Sequence, residues 1–179
     1  MNLLKLGIKH ALGKYLFMCD ADLSMPINEI ANFLPPKLER FDVAIGSRNA
    51  PTSHRHNEPF LTHLRGRIFS NVVKLLVFSD FEDTQCGFKC FTAEVAKDLF
   101  ENQISDDMSF DVEVIFLAKK RGYIIIEVPI NWYFNRDSKV RMFRDSLSMF
   151  CNILTVKYNW WRGKYNQKNK CELVEKYDK

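Results

Sequence analysis

Two carboxylates one residue apart close an apolar run. Tyr15-Leu-Phe-Met-Cys19 is followed by Asp20 and Asp22, and Pro26 stops the segment. The run reads as a short buried strand, bounded by Gly13-Lys14 on one side and Pro26 on the other. Acids at the carboxyl end of such a strand sit where open α/β sheets bind ligands. Mg²⁺ and Mn²⁺ take oxygen ligands, usually one or two carboxylates plus phosphate oxygens of a substrate. Asp-x-Asp suits that chemistry, but the same acids would also suit the cap of a following helix, and the spacing alone leaves both open.

The elements that must position these acids come from a chain of 179 residues, 46% hydrophobic and 27% charged, which is ordinary for one soluble domain with a real core. The net charge of +4 is a mild excess, compatible with a phosphate-bearing substrate or an anionic surface. It is too modest, and too poor in recognisable motifs, for a nucleic-acid binder. Five Cys without a C-x-x-C pair suggest neither a disulfide framework nor a zinc site. Apart from His54-x-His56, the histidines show no metal-ligand spacing. There is no signal peptide and no apolar run of roughly 18 residues or more.

The periodicity predicts a helix over residues 2–12 leading into the Asp-x-Asp strand, and a second helix over 27–39 interrupted by Pro35-Pro36. A second buried strand follows over 42–48, ending in Gly46-Ser-Arg48. Residues 49–62 read as a polar loop. An amphipathic helix over 61–78 presents Leu64, Ile68, Val72, Leu75 and Leu76 on one face. Further helices are expected over 92–100, capped by Thr92, over 110–121, stopped by Gly122, and over 146–158. Residues 123–132 are extended, with Pro129 marking an edge or an end. No strand is evident in the polar start of 81–91.

Several segments then fall into a known order: Asp20-Ala-Asp-Leu-Ser-Met-Pro26, Ala44-Ile-Gly-Ser-Arg48, Asp83-Thr-Gln-Cys-Gly-Phe-Lys-Cys-Phe91, Phe110-Asp-Val-Glu113 and Glu127-Val-Pro-Ile-Asn-Trp132. Together they resemble the family 2 glycosyltransferases that act on polyprenyl phosphates. The likeness to the dolichyl-phosphate β-glucosyltransferases is the stronger, and that to the dolichol-phosphate mannose synthases is near. The match runs to about Tyr165. It implies an α/β, Rossmann-like GT-A domain, N-terminally truncated: residues 1–165 are expected to be the C-terminal portion of one such domain, and 166–179 a charged, frayed tail. Strands that hold the nucleotide would then lie outside this sequence, or be supplied by another chain.

The resemblance also implies roles. Asp20 and Asp22 would hold Mg²⁺ or Mn²⁺ against the donor diphosphate, with Ser24 assisting, and Asp83 would stand with them in the catalytic set. Arg48 would contact the acceptor phosphate, as would Arg65, Arg67 and Ser70 on the next helix; a solvated face explains the latter three equally. Gln85, Gly87, Asp111 and Glu113 are expected in the wall of the site, with Gly87 permitting close backbone approach. Asp111 and Glu113 are also what a helix start favours on its own. Lys139 and Arg141, in a Ser138-Lys-Val-Arg141 segment, would belong to a loop over the site.

The implied activity is inverting transfer of a hexose to dolichyl or polyprenyl phosphate, with UDP-glucose as donor. Two rivals are a GDP-mannose-dependent mannosyltransferase and a catalytically silent fragment that binds a membrane or a partner. The lipid acceptor places the protein peripherally on the cytoplasmic face of a membrane, the endoplasmic reticulum in a eukaryote or the plasma membrane in a prokaryote. The 61–78 and 146–165 segments, with Trp160-Trp161, offer apolar faces bordered by cations for that surface.

Overall fold

A computed structural model describes residues 3–22, 24–76, 80–105, 109–135 and 142–165. Lys139 and Arg141, the 166–179 tail and the side chain of Arg65 lie outside the described residues. The architecture is mixed α/β. Four strands, β1 (Tyr15–Cys19), β2 (Val43–Ser47), β4 (Phe88–Thr92) and β5 (Ile125–Pro129), form one sheet in the order β1-β4-β2-β5. Two short strands, β3 (His54–His56) and β6 (Asn131–Tyr133), pair in parallel beside it.

β4 runs antiparallel to both β1 and β2, while β5 is parallel to β2. The C-terminal ends of β1, β2 and β5 and the N-terminal end of β4 therefore share one rim. Side-chain alternation sorts the sheet into two faces. Leu16, Val43, Ile45 and Phe91 join a core with the helices α3 (Ala93–Asn102), α4 (Phe110–Lys120) and α5 (Met142–Trp161), while Leu4, Ile8 and Ala11, in and just after α1 (Leu3–His10), pack on its margin. The opposite face, Ala44, Phe88, Cys90 and Val128, packs under Met25, Phe33 and Phe41. There Phe17, Phe33 and Phe88 meet edge to face at centroid distances of 4.6–5.3 Å.

Several expectations need correction. β4, in the middle of the sheet, is the strand that periodicity missed. The loop before it is polar and Lys89 interrupts its apolar pattern, yet Lys89 is fully buried. β1 is less buried than expected: among the described residues it pairs only with β4, and Leu16 is its one buried residue. The 27–39 helix shrinks to a 3₁₀ segment, Ile27–Asn32, with a cis Pro35–Pro36 bond beyond it. The 49–62 loop contains β3. Thr92 precedes α3 but makes no side-chain capping bond. Gly122 ends α4 at φ 77°, as expected of a left-handed stop.

In the amphipathic helix α2 (Phe60–Leu76), Leu64 and Ile68, on the apolar face offered above for a membrane surface, are exposed, as are Phe60 and Leu61. Helical period shows that an apolar stripe exists, but not whether this part of the chain covers it.

Candidate active site

The rim gathers most of the residues singled out above. Asp20 and Asp22 follow β1, Arg48 follows β2, the 83–87 loop precedes β4, and Asp111 lies in the first turn of α4. This convergence follows from topology: three strand ends and one strand start meet on one side, and Lys89 near the start of β4 ties α4 to the same place.

Arg48 and Asp83 form a bidentate pair. Arg48 Nε and Nη2 donate to the two Asp83 carboxylate oxygens at 2.6 and 2.9 Å, and the Arg48 backbone N–H adds a third bond at 3.0 Å. Asp83 is buried. Burial alone would raise its carboxyl, but the charge and hydrogen bonds of Arg48 outweigh it and hold Asp83 below the usual carboxylate range. The fork uses two of the five guanidinium N–H donors, which leaves the others directed elsewhere. Arg48 and Arg55 both lie over the Trp132 ring, 5.8 and 5.6 Å from its centroid, so β6 and its indole line this end of the rim.

The 83–87 loop is fixed by a residue of the 127–132 segment to which motif reading assigned no role. Glu127 of β5 accepts the backbone N–H of Glu82 and of Asp83 at 2.9–3.0 Å. Ser70 of α2 donates to the Glu82 carbonyl at 2.8 Å, and Asn49 reaches the same carbonyl at 3.1 Å. The Ser70 hydroxyl thus ties α2 to the loop. Arg67 is exposed on α2. Gln85 is half-buried, its backbone N–H directed to Asp83.

Gly87 behaves as expected. A Cβ at this position would fall inside the Asp20 carboxylate, so only glycine lets the strand-end acid rest on the loop backbone. The Asp20 carboxyl is raised above its ordinary value, first by burial and then by the negative charges of Asp111 and Asp22; Lys89 and Arg48 offset part of this. Asp22 is exposed and accepts the Ser24 backbone N–H at 3.0 Å. The Ser24 carbonyl in turn accepts the Tyr133 N–H at 2.8 Å, which pins the segment after Asp22 to β6.

Lys89, inside the 83–91 segment, is the second motif residue to which motif reading assigned no role. Fully buried in β4, it donates to the Asp111 carboxylate and to the Cys86 carbonyl, both at 2.6 Å. Burial raises the Asp111 carboxyl, and Lys89 draws it part of the way back. Burial also pushes the Cys86 thiol up to about 12, so this cysteine is a packed group and not a nucleophile. Glu113 needs correction as a wall residue. It is fully buried and committed to Ile104 N–H, Ser105 N–H and the Tyr165 hydroxyl at 2.6–2.9 Å, where it braces the chain between α3 and α4.

The rim fits a hard cation on the chemistry of its donors. Among the described residues Arg48 answers Asp83 and Lys89 answers Asp111, which leaves the carboxylates of Asp20 and Asp22 to suit one divalent ion. Among the described residues no group of three or more His, Cys, Asp or Glu could enclose a metal. The protein therefore offers the open, two-carboxylate kind of site that substrate oxygens and water complete.

The mixed sheet, with acids at the end of β1 and a cation at the end of β2, which runs the same way on the far side of β4, is consistent with a GT-A, Rossmann-like glycosyltransferase fold. The chain is similar to glycosyltransferases that act on dolichyl phosphate. It is 32% identical over 165 residues to a dolichyl-phosphate beta-glucosyltransferase of Dictyostelium discoideum, covering 89% of this chain and 50% of the relative. The human dolichyl-phosphate beta-glucosyltransferase is 28% identical over 171 residues, 89% of this chain and 52% of its own. Glycosyltransferase AglD of Haloferax volcanii is 29% identical over 160 residues, 89% of this chain but 25% of its own length. The chain thus spans about half the length of the glucosyltransferases it matches. No protein-family model matches it.

Proposed function

We propose that this chain carries the metal- and acceptor-binding rim of an inverting glycosyltransferase that moves glucose from UDP-glucose to dolichyl or polyprenyl phosphate. One observation carries the reading: the paired acids Asp20 and Asp22 and the Arg48–Asp83 fork converge on one sheet rim. The first suits a cation-bound diphosphate and the second a phosphate monoester.

Asp20 and Asp22, with Ser24 beside them, would hold Mg²⁺ or Mn²⁺, which when bound neutralises charge on the departing nucleotide diphosphate. Arg48 supplies a guanidinium whose remaining donors suit the acceptor phosphate, and Asp83 fixes its orientation. Gly87 seats Asp20 so that both acids face the donor. The acceptor phosphate is already an anion near neutral pH, so an oxygen of that phosphate attacks the anomeric carbon without a general base. The sugar–diphosphate bond breaks on the opposite face, which inverts the configuration. Arg65, Arg67, Lys139 and Arg141 remain the further cations for the two phosphates.

The acceptor's isoprenoid tail calls for work at a bilayer. Phe60, Leu61, Leu64 and Ile68 leave an exposed apolar stripe on α2, and Leu154, Tyr158 and Trp161 leave another on α5. Among the described residues no helix is long and apolar enough to cross a membrane. These faces suit peripheral contact with the cytoplasmic leaflet.

The test is transfer of labelled glucose from UDP-glucose, against mannose from GDP-mannose, to polyprenyl phosphate in vesicles by the full-length protein. Each donor is assayed with Mn²⁺ and with chelator. Metal-dependent glucose transfer is expected. Mannose transfer reassigns the donor, and no transfer by folded protein with lipid present overturns the enzymatic reading in favour of a binding role.

A further inference from the structure

We propose that Lys89 is the positioning residue of the two-carboxylate site: its buried ammonium joins Asp111 to the Cys86 carbonyl and so fixes the Gly87 seat on which Asp20 rests. The inference builds on the reading of Asp20 and Asp22 as cation ligands.

A lysine is almost never fully buried without a partner. This one comes from the central strand, with Met18 of β1 and Ile45 of β2 as its cross-strand neighbours. Its two acceptors belong to different pieces of the rim, one in the loop before β4 and the other in the first turn of α4. A single side chain therefore fastens loop and helix to the same strand. The residue after Cys86 is Gly87, whose Cα lies against the Asp20 carboxylate. Asp20 also responds to both charges, being raised by Asp111 and lowered by Lys89. The ion pair thus sits within electrostatic reach of the strand-end acid while its second hydrogen bond holds the backbone under that acid.

Two effects of Lys89 are separable. As a charge, it opposes cation binding nearby, so its loss alone would tighten the site. As a clamp, it holds the seat, so its loss would weaken the site. Replacing the whole pair removes one charge of each sign, which isolates the clamp. It also avoids leaving an unpaired ion in the interior.

The experiment is Mn²⁺ titration by electron paramagnetic resonance of the full-length protein. Wild type is compared with the Lys89→Met/Asp111→Leu double variant and with Asp111→Asn. Thermal unfolding and the ¹⁵N–¹H signal of Gly87 are followed in parallel. The double variant is expected to keep a cooperative transition, to shift the Gly87 signal and to bind Mn²⁺ about tenfold or more weakly, as when a supporting residue of a metal site is lost. Asp111→Asn, which keeps a neutral acceptor for Lys89, is expected to bind within a few-fold of wild type with Gly87 nearly unshifted. A folded double variant with unchanged Mn²⁺ affinity and an unmoved Gly87 overturns the proposal. If wild type takes up no Mn²⁺, the cation reading of Asp20 and Asp22 fails, and the Gly87 shift alone decides whether Lys89 holds the seat. If the double variant does not fold, Asp111→Asn decides: a large Gly87 shift and a tenfold loss with the fold intact would overturn Lys89's role, since the lysine and its carbonyl bond are still present.

Discussion

Asp111 and Glu113 lie on the same helix, two residues apart, and they are treated in opposite ways. Glu113 is answered by two backbone N–H groups and a tyrosine hydroxyl, all at hydrogen-bond distance. Asp98, behind it, is met by the Arg121 guanidinium and by the Tyr123 hydroxyl at 3.0 Å. Asp111, by contrast, belongs with Asp20, Asp22 and Asp83 to a group in which carboxylates outnumber cations. A matched acid braces the fold, whereas an unmatched one costs stability and persists where something outside the protein completes it. Helix position alone would have classed Glu113 and Asp111 together; the balance of partners separates them.

Exchanging one acid from each set breaks this comparison most directly. Asp20→Asn is expected to lower transfer roughly 100-fold or more, because it removes charge that opposes the developing diphosphate only through a bound cation. Its stability should be unchanged or slightly raised, since a crowded negative charge is gone. Glu113→Gln should do the reverse. An amide cannot accept from both N–H groups, so unfolding free energy should fall by about 1–3 kcal/mol, while transfer per folded molecule is kept. Urea unfolding and initial rates at saturating donor read both effects. If the two variants lose activity in parallel with stability, the separation of the two sets is wrong.

The two directions of carboxyl shift at the rim predict a pH profile. Asp20 and Asp111 are raised in the folded state. Each binds its proton more tightly folded than unfolded, so stability falls as pH rises from the unfolded value, near 4, through the folded one. Asp83 is lowered, so its contribution is present above the unfolded value and lost as pH falls through the folded one. Acidification from neutrality should therefore first stabilise the protein and then destabilise it. The urea midpoint against pH measures this. Asp20→Asn should flatten the first limb and spare the second, and Mn²⁺ with a nucleoside diphosphate should also suppress the first limb. A profile that only declines on acidification would mean that the rim acids are as well matched as Glu113.

The sequence was most legible where chemistry and local pattern coincide. Asp20, Asp22, Arg48 and Asp83 are polar residues at the ends of apolar runs, and the topology brings their strand ends and loop to one rim. Gly122 marks the end of α4 because a left-handed stop needs no tertiary information. Lys89 and Glu127 were not legible, because a charge within a strand reads as solvent-facing unless its partner is known, and Asp111 lies 22 residues from Lys89. The same limit hid β4. At α2, Leu64 and Ile68 have the period of an apolar stripe but no cover among the described residues, and period alone does not say whether such a stripe meets core or membrane. Asp111 and Glu113 show the limit most sharply: as paired acids of one helix start they invite one role, and only their distant partners divide them.

The smallest expected effect tests the matched side alone. Tyr165→Phe removes the hydroxyl that donates to Glu113 at 2.6 Å and leaves the ring and its packing against Trp160 in place. Burial, followed by the Glu113 carboxylate, raises the Tyr165 hydroxyl well above its usual range, so at neutral pH it is a fixed donor. The Glu113 oxygen concerned still accepts the Ile104 N–H at 2.9 Å, so the acid is not orphaned. The loss should be about 1 kcal/mol, that of one ordinary hydrogen bond. In a Glu113→Gln background the same change should cost less, since both substitutions remove the same contact, and the shortfall in a double-mutant cycle measures it. Fully additive costs would show that the Tyr165 hydroxyl acts through another partner, Asn159, and that the brace on the 103–105 turn is made by backbone donors alone.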